Sequence, residues 1–264
     1  MQRNGPVALL FHTLVVAFML APLVIVVLVA FTPANTLALP TTSFSTKWFV
    51  AVRQHPDFVA SFVNSLWVAA LSATASVVLA VPAGLAIARH DFKGRAFVNA
   101  LFLSPLIIPH LVLGVALLRL FGLIGAVGSV RWLAASHIIV VTPYVLRLVL
   151  AALAGLDRGA EQAAATLGAS AWTVFRRITV PMMLPGISGG WLLAFVNSFD
   201  ELTMSIFVTS PATVTLPVRM YMYTTESIDP MMAAVSALMI ALTAGAMFIL
   251  DRMFGLDRIL VGEK

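Results

Sequence analysis

Asn197, Asp200 and Glu201 stand in the middle of an apolar run, G-I-S-G-G-W-L-L-A-F-V-N-S-F-D-E-L-T-M-S-I-F-V-T, from Gly186 to Thr209. Ser198, Thr203 and Ser205 accompany them. A charge at membrane depth costs at least about 2.5–3.5 kcal/mol on insertion scales. Such residues must face a wet cavity or a partner. One reading is a water-lined pathway whose acids stabilise a passing ammonium group and repel anions. The other is an internal ion pair, for example with Arg147. As one continuous helix the run would place Asn197, Asp200, Glu201 and Met204 on a shared face, at steps of three and four. Neighbouring helix positions diverge by about 100°. One acid is therefore expected to face the pathway while the other pairs or packs. Asp200 is the choice for the pathway, three residues after Asn197. Asn64, near the outer end of another apolar run, either bonds a neighbouring helix or touches cargo.

Other chemistries are poorly supported. The chain has no G-x-x-x-x-G-K-[ST] phosphate loop, so it is not expected to hydrolyse ATP itself. It has no cysteine, hence no thiolate site, cysteine nucleophile or disulfide. His110 and His137 lack companions at metal-ligand spacing and read as structural. No nucleophile–base pair converges, which argues against an intramembrane enzyme. The net charge of +5 is no nucleic-acid signal, because the basic residues lie between apolar runs rather than on one face.

The elements that position these residues follow from composition. Of 264 residues, 61% are hydrophobic and 10% charged, against roughly a quarter charged in a soluble domain. An all-α, polytopic membrane protein is expected, with residues 1–264 forming a single transmembrane domain. Six runs reach the length of about 20 residues that a span needs: Pro6 to Phe31, Ser61 to Ala88, Phe97 to Phe121, Trp132 to Leu156, Gly186 to Thr209, and Met231 to Met253. Helix is expected because lipid offers no partner for a free backbone group. The first run is too long for a signal-peptide core of about 7–15 residues. Small residues in L-S-A-T-A-S and at Gly84 mark the second run as a packing helix. Pro105 and Pro109 predict a kink in the third. K-W-F-V-A-V-R in the first external loop is either a short interfacial helix or a connector. With the N-terminus in the cytoplasm, ten Lys and Arg fall on the inner side and five on the outer. Both termini and the loop after Leu156 are thereby assigned to the cytoplasm. D-R-M-F-G closes the last run as a cytoplasmic stop.

That loop, about 157–185, is the longest stretch unable to span. Its apolar residues recur at helical steps. Asp157 is a candidate N-cap, and Glu161 lies in the first turns, where the helix dipole favours an anion. Gly168 is a natural C-terminal stop, Ser170 can cap a second helix, and Pro181 is expected to break it. Two short helices joined by a glycine hinge at the membrane surface are predicted. An ordinary amphipathic surface helix is the plainer alternative.

Here Q-A-A-A-T-L-G, followed by Ile178 and Pro181, resembles the EAA loop of binding-protein-dependent ABC importer permeases. The family pattern reads E-A-A, three residues, Gly, nine residues, Ile, one residue, Leu-Pro. Ala163, Ala164, Gly168, Ile178 and Pro181 fall on it in register. Gln162 occupies the glutamate position, with Glu161 one residue earlier, and Val180 replaces the leucine. N-S-L-W-V-A at Asn64, L-S-P-L-I-I-P, S-F-D-E-L-T, T-L-P-V-R-M-Y and D-P-M-M-A-A-V-S are similar to the polyamine-type branch, which also includes transporters of related small amines, phosphonates and iron.

The resemblance implies the membrane subunit of an ATP-driven importer in the bacterial cytoplasmic (inner) membrane. It implies two cytoplasmic ATPase subunits, an extracytoplasmic solute-binding protein and a second permease subunit, which the polyamine-type branch suggests is a different chain. No cofactor is expected in this chain, since ATP would be bound by the ATPase partners. Glu161, Gln162, Ala163, Ala164, Leu167, Gly168, Ile178 and Pro181 would then couple to the ATPase. The alternative is an ion-coupled secondary transporter with Asp200 or Glu201 as its proton or cation site. Such folds usually show internal repeats, and the two halves show no convincing one.

Overall fold

The computed structural model describes residues 5–40 and 43–254. Arg3, Arg258 and Lys264, which enter the charge asymmetry, and Gly255 of the final stop lie outside the described residues. Among those described, helix is the regular structure and no strand occurs. Five helices are long and apolar enough to cross a membrane, and a sixth crossing is available if one sharply bent helix pair is a single span.

The chain divides into two compact units, one formed by residues up to 60 with 219–244, the other by 61–218 with 245 onward. The first holds α1 (Pro6–Ala30) and α2 (Lys47–Gln54). It also holds residues 219–226 of α11 (Leu216–Glu226) and 231–244 of α12 (Met231–Phe254). Alanines make its core. Ala30 meets Ala233, Ala234 and Ala237, with Phe31, Trp48 and Phe49 packed around them. The stretch K-W-F-V-A-V-R is helical and is held by its side chains. Trp48 donates through its indole nitrogen to the Ala34 carbonyl at 3.2 Å, and Lys47 donates to Asn35 at 2.8 Å. Tyr223 donates to Asp229 at 2.6 Å, and Asp229 accepts the Met231 N–H at the start of α12.

The second unit is built on α3 (Pro56–Arg89), α6 (Val130–Ala154) and α9 (Val180–Phe199). Small residues set the spacing of these helices. A Cβ on Gly186 of α9 would sit 2.6 Å from Ala152 Cβ and 3.0 Å from the Leu148 carbonyl of α6. In lipid, such close approach supplies the packing that the hydrophobic effect supplies in water. Hydroxyls join the same faces. Ser72 donates to the Ala134 carbonyl at 3.2 Å, and Thr142 donates to Ser76 at 3.0 Å.

Two expected spans differ from the structure. The third is not a kinked rod from Phe97 to Phe121. It runs as α4 (Arg95–Leu103), a 3₁₀ turn at Ser104–Leu106 and α5 (His110–Leu123), bent by 101°. Pro109 has no N–H to give and drives Ile108 out of helical geometry, so the chain restarts instead of bending gently. The fifth is not one helix from Gly186 to Thr209. It ends at Phe199 and resumes as the four-residue α10 (Ser205–Val208). At its other end it starts earlier than expected. Pro181 does not break the chain there. A π-helical turn at Phe175–Thr179 leads directly into α9, and the helix continues through Pro181.

Candidate functional site

Two constellations carry the polar chemistry of the second unit. The first is the loop after α6. It contains α7 (Gly159–Thr166) and α8 (Ala171–Val174). Asp157 accepts the Gly159 N–H at 2.9 Å, so it caps α7 from one residue before the N-cap position, which Arg158 holds. Gly168 has φ +83°, a left-handed conformation that costs glycine little. Its N–H reaches the Ala165 carbonyl and the Ala169 N–H the Ala164 carbonyl, both at 3.0 Å, which completes a Schellman stop. Ser170 accepts the Thr173 N–H at 3.2 Å and starts α8.

Glu161 fastens this helix pair to the bundle. Arg89, the last residue of α3, donates to its carboxylate at 2.8 Å, and the Thr179 hydroxyl donates to the same oxygen. The side chain is only 13% exposed. Burial pushes its pKa up. The hydrogen bonds from Arg89 and Thr179, with the charges of Arg89 and Arg158, outweigh burial and hold it below the ordinary glutamate value. Gln162 and Ala163 face outward, Ala164 and Ile178 are half-buried, and Pro181 is exposed. Leu167 is 89% exposed and Trp172 67% exposed, so the tip of the loop is apolar and uncovered. Sequence reasoning missed Trp172, whose large apolar ring in a polar loop was the available signal. It also counted Arg89 only as a topology determinant.

The second constellation surrounds the break between α9 and α10. Asp200 is the C-cap of α9 and is exposed. Glu201 is buried. One of its oxygens accepts the Met204 N–H at 2.7 Å and the other meets His110 Nδ1 at 2.8 Å. His137, on α6, bridges the gap, with Nδ1 at 2.8 Å from the Ser198 hydroxyl and Nε2 at 3.0 Å from that of Ser205. Asn197 turns back onto its own helix and donates to the Leu193 carbonyl at 2.8 Å. The shared helical face of Asn197, Asp200, Glu201 and Met204 therefore does not exist, because the helix that would carry it stops at Phe199. The buried acid is matched by His110, not by Arg147, which is exposed on α6. Asn64 donates to the Ala212 and Val214 carbonyls at 3.3 and 3.1 Å and so pins the segment before α11.

The sequence matches the family described as binding-protein-dependent transport system inner membrane component over residues 80–255. It is 29% identical to the spermidine/putrescine transport system permease protein PotC of Escherichia coli (strain K12) over 233 residues, 88% of each chain. It is 32% identical to the putrescine transport system permease protein PotI of the same organism, over 84% of this chain and 82% of that one. It is also 37% identical to the molybdenum transport system permease protein ModB of Haemophilus influenzae, over 60% of this chain and 76% of that one. Among solved structures, it resembles a chain of a bacterial alginate ABC transporter in complex with its pentasaccharide-bound periplasmic protein, with TM-score 0.70, 17% identity and coverage of 93% and 92%. A chain of the MetNI methionine ABC transporter gives TM-score 0.64 at 19% identity, covering 76% of this chain and 95% of that one. At these identities the structures speak for the fold.

Proposed function

The chain belongs to the family of binding-protein-dependent transport system inner membrane components, the permease subunits of ABC importers, and from that membership we propose that it forms half of an ATP-driven import pathway for a small cation. The observation that carries the energy coupling is the apolar tip of the 157–185 loop. Leu167 and Trp172 are uncovered on either side of the Gly168 turn, while Glu161 ties the base of the same pair to α3 and to the start of α9. A cytoplasmic ATPase that grips the tip and moves would pull on two transmembrane helices at once. In this reading Glu161 transmits from inside the chain, and the exposed Gln162 meets the ATPase through a neutral hydrogen bond.

The cargo reading rests on Asp200. An exposed carboxylate stands at the C-terminal end of α9, where the helix dipole is already negative. Both effects favour a passing ammonium group. The likeness to the two polyamine permeases over more than four-fifths of the chain supports that cargo class. An extracytoplasmic binding protein would deliver the solute, and a second, different permease subunit would complete the pathway. Both termini and the coupling loop would lie in the cytoplasm.

Replacement of Gly168 by valine tests the coupling. A β-branched residue is strained at φ +83°, so the turn should reset while the spans stay in the membrane. Uptake should fall, or the ATPase should no longer co-purify. Normal uptake with normal co-purification would overturn the assignment. A wild-type chain that brings down no ATPase would point instead to ion-coupled transport.

A further inference from the structure

Beside the coupling loop lies a cavity of about 410 Å³, lined by Arg89, Arg95, Arg158, Ile87, Leu150 and Leu153 among others. Its lining holds three guanidinium groups and no carboxylate. Each is partly compensated. Arg89 gives one nitrogen to Glu161, and Arg95 pairs with Asp91 four residues earlier. The Asp91 side chain is 96% exposed, so water competes with that pair and it contributes little. Arg158 makes no side-chain ion pair or hydrogen bond among the described residues, and acts on Glu161 only through its charge. Three guanidinium groups so lightly compensated leave the hollow positive and suited to a further anion.

The rest of the lining says which anion. The cavity sits where two apolar spans end, α3 at Arg89 and α6 at Ala154. Ile87, Leu150 and Leu153 come from within those spans, whereas Arg95 and Arg158 come from just beyond them. From span to loop the wall thus changes from hydrocarbon to guanidinium. A phospholipid changes in the same order, from acyl chain to phosphate. Arginine adds a planar fork that matches phosphate oxygens in pairs. Basic pockets between transmembrane helices are a known way to hold anionic headgroups.

We propose that this cavity binds the phosphate ester of an anionic phospholipid, with Arg95 and Arg158 on the phosphate and the leucines against the first acyl carbons. A bound lipid would then rest against Arg89, which also fastens Glu161, so the coupling loop would be anchored partly by the membrane itself.

The test uses the purified permease in its native complex, with bound lipid counted by native mass spectrometry. Dioleoylphosphatidylglycerol, dioleoylphosphatidylcholine and inorganic phosphate are titrated separately. Phosphatidylglycerol should be retained over phosphatidylcholine, and millimolar inorganic phosphate should not displace it. At about fivefold per guanidinium near a membrane surface, the double variant Arg95→Gln, Arg158→Gln should weaken retention about thirtyfold. Arg53→Gln, on α2, should change nothing. Lysine at both positions keeps the charge and should restore most of the retention. Equal retention of the two lipids, or a double variant that still holds phosphatidylglycerol, would overturn the proposal. Displacement by inorganic phosphate would identify a free anion as the ligand and overturn the lipid assignment.

Discussion

Glu161 is the residue on which the loop's attachment depends, and its titration can be read in advance. Its folded pKa lies below its ordinary value of 4.5 because Arg89 and Thr179 together outweigh burial. A group depressed on folding contributes fully above the unfolded pKa, and its contribution is lost as pH falls through the lower folded value. The loop should therefore stay fastened through mildly acidic conditions and loosen only in stronger acid. Glu161→Gln keeps an acceptor but removes the charge, which makes each remaining bond the weaker, neutral kind. Hydrogen exchange of the α7 amides should speed up about tenfold, roughly what is lost when a charge-assisted bond becomes a neutral one. The acid-induced loosening should vanish in the same variant. Gln162→Ala, on the exposed side, should leave exchange unchanged. Equal exchange in wild type and Glu161→Gln would show that the carboxylate does not hold the loop.

At the scale of elements, the break between α9 and α10 separates two acids that stand side by side in sequence. Glu201 does the work of a cap: its carboxylate takes the Met204 N–H and is closed off by His110. Asp200 has no such side-chain partners among the described residues and is exposed. Their variants should accordingly fail in different ways. Asp200→Asn should slow uptake of a cationic solute while abundance and ATPase co-purification persist. Glu201→Ala leaves the Met204 N–H and His110 without their acceptor in the interior. It should lower the melting temperature and the yield of assembled complex, as leaving a buried donor unsatisfied costs about 1–3 kcal/mol. If Asp200→Asn transports normally, or if it dissociates the complex, the residue is structural and the cation reading loses its main internal support. The acids themselves were legible in sequence because charges in an apolar run are costly. The break was not, because hydropathy is the same for a continuous helix and for two pieces, and the glutamate that makes the break acts through a long-range bond to a histidine 91 residues away. The same limit hid Arg89 as the partner of Glu161, 72 residues apart. Local signals fared better at Gly168 and Ser170, which mark a turn and a helix start through backbone effects that need no tertiary partner, whereas the helix runs on through Pro181.

For the whole molecule, coupling requires that the tip of the 157–185 loop face the cytoplasm. Charge argues for this arrangement. Arg89, Lys93, Arg95, Arg158, Arg176 and Arg177 cluster at one set of span ends, and cytoplasmic loops carry such an excess. The count was readable because it needs span order and not span shape. A bent third segment and a broken fifth leave it unchanged, provided that each still crosses. The absence of cysteine from the chain makes the point directly testable. Thr166 is exposed at the end of α7, and Ile228 is 79% exposed between α11 and α12. A membrane-impermeant maleimide applied to intact cells with the outer membrane removed should label Ile228→Cys and spare Thr166→Cys. Permeabilisation should expose Thr166→Cys, and co-expression of the ATPase subunits should protect it again if that surface is where they dock. Labelling of both positions from outside would mean that the chain between residues 167 and 227 crosses an even number of times, so the α9–α10 region either turns back within the membrane or fails to cross it. The 157–185 loop would then face away from any cytoplasmic ATPase, and the coupling mechanism built on Leu167, Trp172 and Glu161 would have to be abandoned.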